Sequence, residues 1–462
     1  MSLPKRALLI GRSSNDKSPI TLYSLEMGMS SSTTKQNLFE LYLDFVKESE
    51  SPVIFHRWSI MACMGAALGQ QCWIPFGASR IFPNQYIMLI GEPGARKSSA
   101  IKRARKLLSK AGYQHFAAEK TTKEKFLLDL EGLEDIGDHA ESTVNAHHQV
   151  MQNLLGEGFA TGMEPHEMFI VADEFNDFMR CMDSEFHAML GSLWDYDDES
   201  TPYKQRLKTT RSVAIYQPTV NILGGNTHTG FSDMFPPQAI GQGFLSRLLL
   251  IFSEPSGKKI AFPPEPDPKL EAALIQRVKT IRDDMKGPVR LSRQAKEALE
   301  VLYNSYQGFA DMRFTGYFTR RYTHLLKLCL LCAVVDLKIE VGIDDVILAN
   351  TILRYAEHFM PRALGEFGKA KNADVATKIL SFLTKEDRIV NQGEIWKQVS
   401  SDLERIEDLD KMLMGLKQAG KILWIPQKVG GIQGFTVVKM SIKSMEAFVN
   451  YDLLREYKQV SL

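Results

Sequence analysis

Apolar positions recur at three and four from Gln36 to about Gly69, with Leu38, Leu41, Phe45 and Val46 before Pro52 and Phe55, Trp58, Met61, Ala62 and Leu68 after it. This spacing predicts two helices broken at the proline. From Trp73 to about Phe252 the texture changes, and the short apolar runs Tyr86–Ile90, Phe169–Ala172, Val220–Leu223 and Leu248–Phe252 alternate with helical stretches. Such alternation predicts a mostly parallel sheet covered by helices. Between 112 and 165 lie a candidate strand (Gln114–Ala118), a helix (Lys123–Leu130) and a polar, acidic insertion. A linker carrying Pro255, Pro263, Pro264, Pro266 and Pro268 leads into an all-helical segment, 269–367, whose most apolar helix surrounds Arg320–Leu337.

The last block, 374–439, predicts helices over Val375–Leu383, Glu394–Val399 and Ile406–Ala419, with Gly420 as a cap. Strands Ile422–Ile425 and Phe435–Val438 then flank Gly430, Gly431 and Gly434. Helix–helix–helix–hairpin is the plan of a winged helix. The chain therefore divides into a leader (1–35), a helical segment (36–75), an α/β core (76–256), a linker and helical lid (257–368), a winged helix (369–445) and a tail (446–462).

Composition narrows this only a little. The formal net charge is +1 over 462 residues, so any nucleic-acid contact must come from local patches. The cysteines Cys63, Cys72, Cys181, Cys329 and Cys332 are odd in number and irregularly spaced, which argues against a disulfide framework. Cys329 and Cys332 fall inside an apolar run and read as buried helix residues. No run reaches the length of a membrane span, and a cytoplasmic protein is expected.

The chemistry starts at Gly91-Glu92-Pro93-Gly94-Ala95-Arg96-Lys97-Ser98-Ser99, between an apolar strand and a helix carrying Ile101, Ala104, Leu107 and Leu108. Strand, glycine loop, Lys-Ser and helix form a Walker A arrangement. Backbone N–H groups and the helix N-terminus attract phosphates. Lys97 reaches the β- and γ-phosphates of ATP, and the Ser98 hydroxyl ligates Mg²⁺. Arg96 stands where a last glycine is expected. An unusual backbone angle there would cost about 1–3 kcal/mol. The basic patch Lys102, Arg103, Arg105 and Lys106 reads as the solvated face of the following helix.

Phe169–Ala172 ends in Asp173-Glu174, a Walker B pattern: Asp173 for Mg²⁺, Glu174 to orient and polarise the attacking water. Val220–Leu223 ends in Gly224-Gly225-Asn226-Thr227, where Asn226 can bond the γ-phosphate or the water. Arg247, at the entrance to the next strand, has the spacing of an arginine finger that reaches a neighbour's ATP. A finger acting in trans requires an oligomer.

Together these motifs resemble the minichromosome maintenance replicative helicases of the AAA+ class. Gly91–Ser98 resembles their phosphate loop, which also lacks the last glycine. Asp173-Glu174-Phe175-Asn176-Asp177-Phe178-Met179 resembles their Walker B signature, and Leu245-Ser246-Arg247 their arginine-finger motif, although Leu248-Leu249 replaces the family's Phe-Asp. Arg320, on the helix that opens the apolar run, resembles their sensor 2 arginine, with Arg321 as the alternative. The resemblance spans about Pro83 to Tyr355. It extends to the shorter helicase-like ATPases of phages and mobile elements, which likewise end in a winged helix. It implies a P-loop AAA+ core, ATP and Mg²⁺ as cofactors, and a homo-oligomeric ring, expected to be a hexamer. The implied activity is ATP hydrolysis by a DNA helicase moving on single-stranded or forked DNA, with replication-initiation or primase proteins as partners. A helicase loader or an ATP-switched DNA-binding regulator are the alternatives.

The DNA contact is expected in Tyr203–Arg211, where Lys204, Arg206 and Lys208 alternate and Arg211 follows without an intervening acid. On a strand this puts three cations on one face, and motors of this kind place a hairpin here, in the ring's channel. The third C-terminal helix begins Glu404-Arg405-Ile406-Glu407-Asp408-Leu409-Asp410, whose acids would repel phosphate. Protein docking suits that block at least as well as duplex readout.

Overall fold

The computed structural model describes residues 37–132, 166–179, 184–198, 200–206, 212–235, 243–306, 311–364, 373–386, 388–403, 405–418, 422–425, 433–437 and 448–457. The expected leader, the acidic insertion with His147 and His148, Cys181, and Gly420 lie outside them. So do Lys208 and Arg211.

The chain is a mixed α/β protein. Helices α1 (Leu38–Val46) and α2 (Val53–Leu68) come first. Asn37 caps α1 by accepting a hydrogen bond from Glu40 N at 2.9 Å, the arrangement that satisfies a free N–H at a helix start. Apart from Val53, every residue of α2 is buried, including Arg57, whose Nη2 donates to Glu40 Oε1 at 2.7 Å. Strands β1 (Cys72–Phe76) and β2 (Ser79–Ile81) form an antiparallel pair that the apolar pattern does not announce.

The centre is a four-stranded, all-parallel sheet of β3 (Tyr86–Ile90), β4 (Glu167–Ala172), β7 (Thr219–Asn226) and β8 (Leu249–Phe252). Its order is β4-β7-β3-β8. Strands β5 (Tyr203–Gln205) and β6 (Val213–Ile215) pair antiparallel outside it. Every residue of β3, β7 and β8 is buried, which is why these strands read as continuous apolar runs and not as alternating ones. The candidate strand at Gln114–Ala118 reduces to a single parallel bridge, Phe116 to Phe169. Backbone bonds from Ala117 N to Phe169 O and from Phe169 N to His115 O hold it.

One expected boundary is wrong for a physical reason. The apolar run stops at Leu223, yet β7 runs on through Gly224 and Gly225 to Asn226. A Cβ on Gly225 would lie 2.5 Å from the Asp173 carbonyl, and one on Gly224 would lie 2.9 Å from Met88 and Phe175. These glycines mark close approach inside a sheet, not a chain reversal.

The segment after β8 is mostly helical, with helices Pro268–Asp284, Arg293–Ser305, Thr315–Val334 and Ile343–Leu364. It is not the all-helical segment expected, because Gly287–Pro288 pairs in parallel with Cys72–Trp73, and Arg290–Leu291 with Glu340–Val341. Cys329 and Cys332 are buried free thiols on the third of these. One contiguous apolar core runs from Leu38 to Leu364 and takes in Leu453. A second core joins helices Ala373–Glu386, Gln392–Val399 and Ile406–Gln418 to the antiparallel strands Ile422–Ile425 and Gly434–Val437. Among the described residues, no helix is long and apolar enough to cross a membrane.

Candidate functional site

Parallel strands bring their carboxyl ends to one edge, where ligands bind in open α/β sheets. Here β3 delivers Gly91, β4 delivers Asp173 and β7 delivers Asn226 to that edge. The register pairs Ile90 with Asn226 and with Phe252, and Ala172 with Gly224. Because β7 lies between β3 and β4, Asn226 stands between the glycine loop and the two acids.

In the loop, Gly94 has φ +87° and Arg96 has φ 58°, ψ 30°. The unusual backbone suspected at Arg96 is therefore present, a left-handed conformation in a non-glycine residue. The connection between α1 and α2 holds it there. Ser51 Oγ donates to Arg96 O at 2.7 Å, and the Arg96 guanidinium pairs with Glu50 Oε2 at 2.7 Å. A hydrogen bond from Ile260 N, then the Arg96 charge, holds the Glu50 carboxyl below its usual range.

Lys97 is buried and turns inward, donating to Gly91 O at 2.7 Å and Glu92 O at 3.1 Å. Burial lowers its pKa, against the pull of Glu174 and Glu92. Ser98 is half-buried and Ser99 exposed at the start of helix α3 (Lys97–Lys110). Asp173 Oδ2 accepts from Lys102 Nζ at 2.6 Å, and this contact raises the Lys102 pKa. Lys102 lies four residues beyond Ser98, on the same helix face. The patch read as merely solvated is thus partly engaged: Lys102 sits on Asp173, and Arg105 lies over the Phe116 ring at 5.1 Å. Asp173 already draws a cation from the helix that Ser98 opens, and one carboxylate with a hydroxyl is a donor set suited to phosphate-bound Mg²⁺.

Glu174 is exposed to solvent. Asn226 is 5% exposed, and its amide is fixed on both sides. Its Nδ2 donates to Asn176 Oδ1 at 2.7 Å, and its Oδ1 accepts from Thr227 N at 2.9 Å. Asn176 in turn donates to Gly230 O at 2.8 Å. Sequence reasoning gave Asn176 no role. Its position two residues after Glu174 was the available signal. His228 was also missed. It lies 3.0 Å from Ala363 O and 3.5 Å from Glu92 Oε1, joining the glycine loop to the end of helix Ile343–Leu364.

Arg247 lies at the other edge of the sheet. It precedes β8 by two residues and Phe252 by five, which at about 3.3 Å per residue is roughly 16 Å from the carboxyl ends. It is 9% exposed. Nη1 donates to Gly243 O at 2.8 Å and Nη2 to Asp195 Oδ2 at 3.0 Å. Arg320 Nη1 reaches the same Asp195 oxygen at 2.7 Å. The two arginines singled out separately in the sequence therefore converge on one carboxylate. Arg321 cannot substitute for Arg320. It is buried, donating to Glu357 Oε1 at 2.7 Å and Asn350 Oδ1 at 2.9 Å, with its guanidinium 4.0 Å from the Tyr306 ring centroid.

Lys327 lies beneath this cluster, fully enclosed, donating to Phe82 O at 3.0 Å and to Asn84 Oδ1. Burial pushes its pKa down to about 7, with Asp195 opposing and Arg247 assisting. The unfolded lysine keeps its proton up to about pH 10.5, so between 7 and 10.5 unfolding takes up a proton and stability rises with pH. In urea unfolding, wild type minus Lys327→Met should therefore gain about 1.6 kcal/mol in all from pH 7 to 8.5, the slope climbing from about 0.7 toward 1.4 kcal/mol per pH unit. A flat difference would show that the lysine keeps its ordinary pKa.

Where the basic hairpin is expected, β5 and β6 pair antiparallel with Lys204 opposite Ala214. Strand β5 ends at Gln205, so Arg206 falls just beyond it, and Lys208 and Arg211 lie outside the described residues. Lys204 and Arg206 are exposed. The Glu131 carboxylate anchors the far strand by accepting from Ala214 N at 2.9 Å. In the C-terminal unit, Glu407 and Asp410 are exposed on helix Ile406–Gln418.

Compared with known proteins, the chain matches no family model and no curated protein.

Proposed function

We propose that the chain is an ATP-hydrolysing motor of the AAA+ class, with a P-loop core, a helical lid and a C-terminal winged helix. It works as a ring that moves on single-stranded DNA. The observation that carries this reading is the split of the charged residues between the two edges of the sheet. Lys97, Ser98, Asp173, Glu174 and Asn226 share one edge, while Arg247 stands at the other, before the first residue of β8. Arg247 lies too far from its own glycine loop to touch it, and would have to leave Asp195 and Gly243 to serve the loop of an adjacent copy.

Bound ATP with Mg²⁺ would supply the anhydride bond to be cleaved, with Ser98 and Asp173 as metal ligands. For this, Lys102 must leave Asp173, which its exposure allows. Lys97 would exchange the Gly91 and Glu92 carbonyls for phosphate oxygens, and its low pKa reflects how little water helps it where it now lies. Glu174 orients a water and takes its proton. Asn226, held by Asn176 and Thr227, points one fixed amide at the same edge. Arg247, from the next copy, offsets negative charge developing on the phosphoryl group.

Lys204 and Arg206 would follow the DNA backbone. Removing both, Lys204→Ala with Arg206→Ala, is expected to weaken single-strand binding at every sequence and to lower the salt slope by roughly one to two. A fluorescence-anisotropy titration at several salt concentrations reads both. A forked-duplex assay separates the neighbouring readings. A helicase displaces a strand with ATP and loses this on Glu174→Gln, a loader turns over ATP without displacement, and a switch binds with negligible turnover. The exposed acids of helix Ile406–Gln418 favour a protein partner for the C-terminal unit.

A further inference from the structure

Asp195 is the first residue after helix Ser184–Trp194 and stands eight positions before the basic hairpin strand. It carries an unusual load. Arg247 and Arg320 both pair with its Oδ2, and Lys327, whose Nζ is 4.5 Å from the Trp194 ring centroid, feels its charge. One carboxylate thus balances two paired guanidiniums with a third basic group close behind.

The chain leaving Asp195 is braced at almost every step. Asp197 binds Arg80 twice, accepting from its backbone N at 2.7 Å and from Nε at 2.6 Å. Asp198 Oδ1 accepts from Ser200 N, Ser200 Oγ and Thr201 N, each at 2.9 Å. Tyr196 OH donates to Thr201 O at 2.5 Å, and the Tyr196 ring meets the Tyr203 ring edge-on at 6.1 Å. Tyr203 opens the strand that carries Lys204. A displacement at Asp195 therefore has a stiff, short route to the hairpin.

We infer that Asp195 couples the arginine pair to the DNA hairpin, holding Arg247 and Arg320 on their own protomer until a neighbour's phosphates compete for them. This rests on the motor reading above. A phosphate group presents more oxygens and more negative charge than one carboxylate, so it draws arginine away from aspartate. Once unloaded, Asp195 is free to shift, and the bonds made by Tyr196, Asp197 and Asp198, with Ser200 and Thr201 among their partners, carry the shift to Lys204 and Arg206. Asp195 is a positioning residue in this scheme, since it touches no reacting atom.

The test uses the full-length chain with Asp195→Asn, which keeps the shape and removes the charge. ATP turnover is measured with and without oligo-dT, alongside amide hydrogen exchange. Turnover without DNA is expected to rise about fivefold or more, the DNA response to shrink, and exchange to quicken in β5 and β6 but not in the central sheet. A purely structural role would instead lower both rates together and quicken exchange throughout. Asp197→Asn cuts the route downstream of the arginines. It is expected to leave DNA-independent turnover at the wild-type rate and to remove the DNA response. If both variants keep the wild-type DNA response and hairpin exchange while Glu174→Gln still abolishes turnover, the coupling is wrong and the motor reading stands. A wild-type protein that does not turn over ATP overturns both.

Discussion

Arg247→Ala is expected to lower ATP turnover of the assembled protein by about 10³–10⁵-fold, the range an arginine finger contributes in other NTPases. Nucleotide affinity should change far less, because Arg247 lies at the amino edge of β8 and none of its contacts involve its own glycine loop. Its present contacts are Gly243 O and Asp195 Oδ2, and the Trp194 ring centroid lies 5.8 Å from its guanidinium. Loss of these would destabilise the local packing, so a melting curve belongs beside the kinetics. Arg247→Lys separates charge from shape. A lysine keeps the charge but not the planar fork that meets two oxygens at once, and most of the loss should remain.

Glu174→Gln is the second large effect, a fall of about 10²–10⁴-fold in turnover with ATP binding retained. Glu174 is exposed at the carboxyl edge, next to an Asp173 that pairs with Lys102. The amide keeps the side chain's size and removes its ability to accept a proton. Nucleotide should therefore be trapped uncleaved, and the assembly should persist in ATP where the wild type cycles. Equal loss of binding and turnover, read by equilibrium binding of a fluorescent ATP analogue, would mean that Glu174 holds the fold and not the water.

Most of this site is local in sequence, and that is why it could be read there. A glycine loop between an apolar strand and an amphipathic helix, or two acids after a buried strand, declares itself within ten residues. Strand β3 and helices α1 and α2 follow from apolar spacing for the same reason. What escaped depends on neighbours distant in the chain. The extension of β7 through Gly224 and Gly225 carries no apolar signal, and its reason shows only when the Asp173 carbonyl is seen against Gly225. Asn176 matters only because β7 brings Asn226 to it. Asp195 follows a helix as an ordinary acid, and nothing nearby reveals that Arg247 and Arg320 arrive from 52 and 125 positions away. Strands β1 and β2 escaped as well, their apolar positions being too few to set a period.

In the proposed motor, one catalytic pocket is built from two copies of the chain. Mixing Lys97→Ala with Arg247→Ala tests it most directly, since each variant alone lacks one half of every site. Mixed rings would contain some interfaces with an intact Lys97 facing an intact Arg247. Turnover in the mixture should exceed that of either variant alone, and wild-type turnover per chain should rise with protein concentration. A mixture no more active than its parts, together with a wild type that hydrolyses ATP at full rate as a monomer, would contradict the account.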